Sequence, residues 1–209
     1  MAVEPPTPGT ARPGGRTARV RAAVLRAAED ALVEHGFAGL DLGDLAQRAE
    51  VGRTTVYRRW GSTTALVADL LTDMAEQSLP RARTGSLAGD LRANAQLVRR
   101  TLADPRQGAL FRAVLAAANG APGTADPGTT EALRRFYRRR VEEWAPCVTE
   151  AVERGELPSD TDEFEVIRAV SAPLYYRMLT TGEPLDEAAA DRAAAAAEAA
   201  ARAGAYRRP

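Results

Sequence analysis

Residues 41–60 read DLGDLAQRAEVGRTTVYRRW. Asp41 offers a side-chain oxygen to cap a helix whose apolar stripe is Leu42, Leu45, Ala46 and Ala49, and the chain then turns at Val51 and Gly52. A second, short helix follows from about Thr54 to Trp60. Its Val56 and Trp60, one helical turn apart, share the inward side, while Thr54 and Arg58 share the opposite one. Two helices joined by a tight glycine-containing turn make the helix-turn-helix arrangement, in which the second helix enters the DNA major groove. The outward residue types suit that task. Arginine can donate two hydrogen bonds to guanine, threonine offers a hydroxyl and a methyl, and a tyrosine hydroxyl reaches phosphate. By itself the segment fits better as a solvated surface helix carrying a few arginines; the helix and turn before it tip the reading to DNA.

Outward from this centre, helical spacing continues in both directions. Val20, Val24, Ala27, Ala28, Ala31 and Leu32 form one face of a helix that begins near Arg16 and ends at Gly36. Ser62 can cap a fourth helix carrying Leu66, Leu70, Leu71 and Met74, which Pro80 stops. Beyond a linker at 81–85, further helices are expected near 86–102, 105–118, 129–154, 162–180 and 184–203, with Asp160 and Glu163 resembling a capping box. Pro146 and Pro173 fall inside two of these and predict a kink or a break. No strand pattern occurs, so the fold class is all-α: a flexible arm over 1–15, rich in Pro and Gly, a three-helix helix-turn-helix domain over 16–79, and a second helical domain over 80–205, to which the resemblance given below assigns ligand binding and dimerisation.

Composition excludes whole classes of chemistry. The 209 residues carry 28 basic and 28 acidic side chains, and every basic one is arginine, so a phosphate-loop lysine, a kinase lysine and a Schiff-base nucleophile are all missing. The single His35 cannot make a two-histidine zinc site, and the single Cys147 cannot form a CxxC pair; neither a metal nor a cofactor is expected. No apolar run approaches the roughly 18 residues of a membrane span, which predicts a cytoplasmic protein with no membrane partner. Net charge is zero, yet between Arg48 and Trp60 four arginines stand against one glutamate.

The stretch AAEDALVEHGFAGLDLGDLAQRAEVGRTTVYRRWGSTTALVADLL, within residues 16–79, resembles the N-terminal domain of TetR-like transcriptional repressors. The later text GSLAGDLRANAQLVRRTLADPRQGALFRAVLA and RGELPSDTDEFEVIRAVSAPLYYRMLTTGEPLD is similar to one C-terminal domain type of that family. The resemblance implies an Ω-shaped homodimer that binds a pseudo-palindromic double-stranded DNA operator and is released by a small-molecule inducer. It carries DNA contacts onto Arg53, Thr54, Thr55, Tyr57, Arg58 and Arg59, with Thr17 as a phosphate contact. Many relatives place a phosphate-binding lysine where this chain has Thr63, so a charge contact is lost there, leaving a hydroxyl and helix N-terminal amides. In the family the last two helices form a four-helix dimer interface. The alanine run at 188–205 implies either close backbone packing or a weak contribution, so dimerisation is expected to lean on Phe164, Ile167, Leu174 and Tyr175.

Phe111, Leu115, Phe136, Tyr137, Trp144, Leu174, Tyr175 and Met178 fall at helical spacings that could surround a cavity for an unidentified ligand, although core and pocket walls use the same residue types. His35 reads as a locally packed ring and Cys147 as a small buried hydrophobe rather than a redox sensor. Arg12 and Arg16 could reach the minor groove from the arm. Two other classes compete: a helical scaffold that keeps the helix-turn-helix only for packing, and an all-α enzyme built on Asp160, Asp162 and Glu163, a cluster better explained as helix-capping charge.

Overall fold

Alternating apolar and charged turns fold this chain into ten α-helices among the described residues, which in the computed structural model are 14–77, 80–120 and 126–208. The first four are α1 (Gly14–His35), α2 (Leu42–Arg48), α3 (Arg53–Trp60) and α4 (Thr63–Gln77). Then follow α5 (Leu87–Ala103), α6 (Pro105–Ala118), α7 (Pro127–Trp144), α8 (Pro146–Glu153), α9 (Glu163–Tyr176) and α10 (Glu187–Arg202). Among the described residues no strand forms; Thr161 and Arg207 make one isolated bridge.

Capping chemistry sets most boundaries. Asp41 accepts from the amides of Gly43 and Asp44, and Ser62 from that of Ala65. Asp104 accepts from Arg106 and Gln107, with Pro105 in the first turn where its missing N–H costs nothing. At α9 the cap is Asp162, which accepts from Phe164 and Glu165, not the Asp160–Glu163 box expected from sequence.

Three other expectations are corrected. Gly14 and Gly15 already belong to α1, so the helix starts before the boundary expected at Arg16, which is itself helical; the rest of the arm expected over 1–15, with Arg12, lies outside the described residues. The helix drawn over 129–154 divides into two at the break its Pro146 predicts. Ala145 ends α7 and opens α8, because Pro146 cannot donate into the preceding turn but fits the first turn of a new helix. The helix expected to reach Thr180 runs through Pro173 to Tyr176, then widens into a π-turn over Arg177–Thr181, closed by the Gly182 amide on the Arg177 carbonyl at 2.8 Å.

Packing does not respect the sequence boundary near residue 80. One core joins α1–α4 to Leu110, Val114 and Ala118 of α6 and to Ala132 and Leu133 of α7. A second core holds α5, α8, α9 and α10 together around Leu91, Val148, Val170 and Leu174. Polar ties cross the same boundary: Arg106 on α6 meets Glu29 at 3.2 Å and Asp30 at 2.5 Å on α1, and the Thr64 hydroxyl on α4 donates to Asp126 at 3.1 Å. The linker is pinned as well, since Arg81 pairs with Glu150 at 2.7 Å.

One alanine face of α10 packs inside the chain itself. Ala189, Ala190, Ala193, Ala194, Ala197 and Ala201 are buried against α5 and α9, where a methyl group lets backbones approach closely. Asp191 fixes the contact by accepting from Arg92 at 2.8 Å and Gln96 at 2.7 Å.

Candidate nucleic-acid interface and ligand chamber

α3 has only eight residues and no side-chain cap at Gly52, so its own hydrogen bonding cannot hold it as a helix in water. Its anchors are tertiary. Val56 is 0% and Trp60 8% exposed, and the Trp60 indole donates to Asp69 Oδ2 on α4 at 2.9 Å. Asp69 also receives Arg21 of α1 at 2.8 Å, and Arg21 pairs in addition with Asp73. Burial works to raise the Asp69 carboxyl, but the Arg21 and Trp60 hydrogen bonds outweigh it and hold the group below the usual carboxylate range. One carboxylate thus fastens α1, α3 and α4 together.

The opposite side of α3 is free. Arg53, Thr54, Tyr57, Arg58 and Arg59 are exposed and Thr55 half-buried; among the described residues none of the three arginines forms an ion pair. Arg59 lies over the Trp60 ring at 5.2 Å, and the Arg53 guanidinium crosses the first turn of α2 at Gly43, where a β-carbon would stand 2.1 Å from it. Thr63 opens α4 half-buried beside the Ser62 cap, and Thr17 is exposed near the start of α1. The fold therefore gathers an uncommitted cationic and hydroxyl-bearing face on one short rigid helix, the composition that phosphates and guanine edges accept.

Between the two cores lies a cavity of about 590 Å³, walled by α1, α4, α5, α6, α7 and α9. Five residues expected at a pocket line it: Phe111, Phe136, Tyr137, Trp144 and Tyr175. Three do not. Leu115 packs against the first core, Met178 against the second, and Leu174, 0% exposed, is sealed inside the second. Phe111–Phe136, Phe136–Tyr137 and Tyr137–Tyr175 form a chain of tilted and edge-on ring pairs at 5.6, 5.4 and 5.4 Å. Burial pushes the Tyr175 phenol up to about 12 and Tyr137 further, so both stay neutral hydrogen-bonding groups.

Sequence reasoning passed over the polar wall: Asn94 and Thr101 on α5, Arg106 and Gln107 on α6, Arg140 on α7, Ser171 on α9. Asn94 carried a signal, since it shares the inward face of α5 with Leu91 and Ala95 and is 3% exposed. Arg106 carried none, because its partners lie far away in sequence.

The dimer residues expected from sequence divide likewise. Ile167 lines the cavity, Tyr175 is part of its aromatic wall, and Leu174 is interior; Phe164 alone faces outward. Exposed on α9 and the π-turn after it are instead Arg168, Ala172, Tyr176 and Leu179, and on α10 Ala195, Ala196 and Ala199. Cys147 is fully buried and burial raises its thiol to about 12, which removes the thiolate that redox sensing needs. Asp160 and Glu163 pair with Arg207 and Arg208 while Asp162 caps α9, so that acidic cluster is structural.

A helix-turn-helix with an uncommitted outer face, built into a larger helical body, defines a DNA-binding regulator of transcription. Family models agree over both parts: residues 24–70 match the bacterial regulatory proteins of the TetR family, and residues 81–197 the tetracyclin repressor-like C-terminal domain. The chain is 30% identical over 166 residues to the HTH-type transcriptional regulator YdeS of Bacillus subtilis, covering 79% of this chain and 81% of that one. It is 29% identical over 170 residues to the DNA-binding transcriptional repressor TetR of Mycobacteroides abscessus, covering 80% and 85%. Among solved structures, the TetR family transcription regulator SCO0332 superposes with a TM-score of 0.68 at 26% identity over 87% of this chain and 97% of that one. A TetR-family regulator from Rhodococcus sp. superposes at 0.71 with 18% identity over 88% and 99%, a likeness of fold alone. The chain belongs to the TetR family of transcriptional regulators, which are not enzymes. No helix among the described residues is long and apolar enough to cross a membrane.

Proposed function

We propose that this protein is a repressor that binds a pseudo-palindromic operator as a homodimer in the cytoplasm and leaves it when a small molecule fills the cavity between its two cores. The uncommitted face of α3 carries this reading: Arg53, Thr54, Tyr57, Arg58 and Arg59 project from a helix whose other side is locked by Val56, Trp60 and Asp69. Thr55 and Thr63 supply hydroxyls at its edge and Thr17 a further one from α1. Two such readers on a two-fold axis engage half-sites about one helical turn, roughly 34 Å, apart. The exposed residues of α9, of the π-turn after it and of α10, Tyr176 and Leu179 among them, supply the pairing face. The repressor sense follows the printed role of the relative from Mycobacteroides abscessus.

Ligand control has a physical route. The cavity touches Glu29 of α1 and Arg106 of α6, the two ends of a tie between the DNA-reading helices and the helical body. A ligand favouring one placement of α6 over another shifts α1, and the readers with it, by its differential affinity. Selection of genomic fragments by the purified protein, followed by titration at several salt concentrations, tests the reading. Retention of a two-fold-related sequence with steep salt dependence is expected; no retention of any duplex at low salt overturns it.

A further inference from the structure

The cavity wall contains four charged side chains, and each is already engaged. Glu29 meets Arg106 at 3.2 Å, Arg140 pairs with Glu143, and Asp104 accepts the Arg106 and Gln107 amides at 3.0 and 2.8 Å. Two positive and two negative groups cancel, so a charged guest meets no net opposite charge and competes with ion pairs already made. The wall's aromatic edge-on pairs offer flat apolar faces. Against that background two polar atoms stand out. The Asn94 amide nitrogen is shielded and without a hydrogen-bond partner, Asn94 being 3% exposed, and the Tyr137 hydroxyl faces only the Tyr175 phenol, with no bond of normal length. A buried donor left unmet destabilises a fold, a cost sustained where something else meets that donor.

We propose that the cavity selects an uncharged, mainly aromatic molecule bearing a hydrogen-bond acceptor, a ketone oxygen being the simplest, which takes the Asn94 amide proton while the Tyr137 hydroxyl meets a second polar atom or the same one. The chamber's roughly 590 Å³ suits a compound of drug-like size. The inference rests on the cavity being the regulatory site proposed above.

Three probes separate the chemistries: 9-fluorenone, neutral with an acceptor; fluorene, the same shape without it; and fluorenone-4-carboxylate, its anion. Dissociation constants come from quenching of tryptophan fluorescence in the full chain, Trp144 being on the cavity wall and Trp60 outside it. Fluorenone is expected to bind about two- to thirteenfold more tightly than fluorene, the range of one buried hydrogen bond, and at least tenfold more tightly than the carboxylate. Asn94→Leu, close in volume, removes the advantage of fluorenone over fluorene without weakening fluorene, and raises the melting temperature because an unmet donor is gone. Tyr137→Phe lowers the fluorenone advantage two- to fivefold and serves alone should Asn94→Leu not fold. The proposal is overturned if fluorene matches fluorenone, if the carboxylate binds most tightly, if no probe binds, or if Asn94→Leu weakens both neutral probes equally. These titrations contain no DNA. Fluorenone binding by a protein that retains no duplex would sink the regulator reading and leave the ligand class standing; DNA binding with a preference for the anion would do the reverse.

Discussion

Asp69 joins three helices through one side chain, so its removal is felt beyond its own position. Asp69→Asn keeps the size but loses the charge that Arg21 and the Trp60 indole address. A cost of about 1–3 kcal/mol is expected, read as a lower denaturant midpoint. The sign of the pH effect follows from the depressed carboxyl. In the folded state Asp69 ionises at a lower pH than in the unfolded chain, so its contribution is complete above the unfolded value of about 3.9 and fades as pH falls through the folded one. Wild type should therefore lose stability more steeply than Asp69→Asn on acidification below about pH 4; parallel curves would discount the tie. On the reader's outer face, Arg58→Ala is expected to cost about 1–3 kcal/mol on the preferred operator if the side chain meets guanine, or to weaken all duplexes alike if it meets phosphate, with no change in helical content. Unaltered affinity on every duplex would remove Arg58 from the interface.

Among the elements, α10 gives the sharpest test of packing. Ala194 and Ala197 lie in the close contact with α5 and α9, so Ala197→Leu should destabilise by about 1–3 kcal/mol through overpacking, whereas Ala116→Leu on the exposed side of α6 should change stability within about 0.5 kcal/mol. Equal effects would mean that the alanine face was assigned to the wrong neighbours. What the sequence disclosed, and what it hid, follows from range. The stripe of Val56 and Trp60, the caps at Asp41 and Ser62 and the break at Pro146 depend on neighbours within a turn or two, and all were legible. Pro173 was legible as a disturbance, but whether a helix breaks or widens there depends on what packs around it. The Asp69 cluster, the Arg106 tie and the Asn94 wall join segments far apart in the chain, and such pairings leave no periodic trace. Leu174 and Tyr175 show the same limit at close quarters: adjacent in sequence, one is interior and the other faces the cavity.

For the whole molecule, two expectations concern how parts communicate. Leu179→Arg places a charge on the π-turn that follows α9, where Leu179 is 49% accessible. It should shift the protein toward monomer in sedimentation analysis and weaken operator binding while leaving the monomer's melting behaviour nearly intact; an unchanged dimer would place the pairing face elsewhere. Arg106→Ala removes a surface tie that contributes at most about 1 kcal/mol to stability, yet it should lower operator affinity several-fold if α6 positions α1; unchanged affinity would discount that route. The shared core of α1–α4 with α6 and α7 bears on protein engineering. A chimera cut near residue 80 would strip Leu110, Val114 and Leu133 from the DNA-reading portion and leave a bare greasy surface on each fragment, inviting clumping. Anyone grafting this reader onto a foreign sensor must carry two sensor helices along with it, and evolution shuffling such halves faces the same restriction.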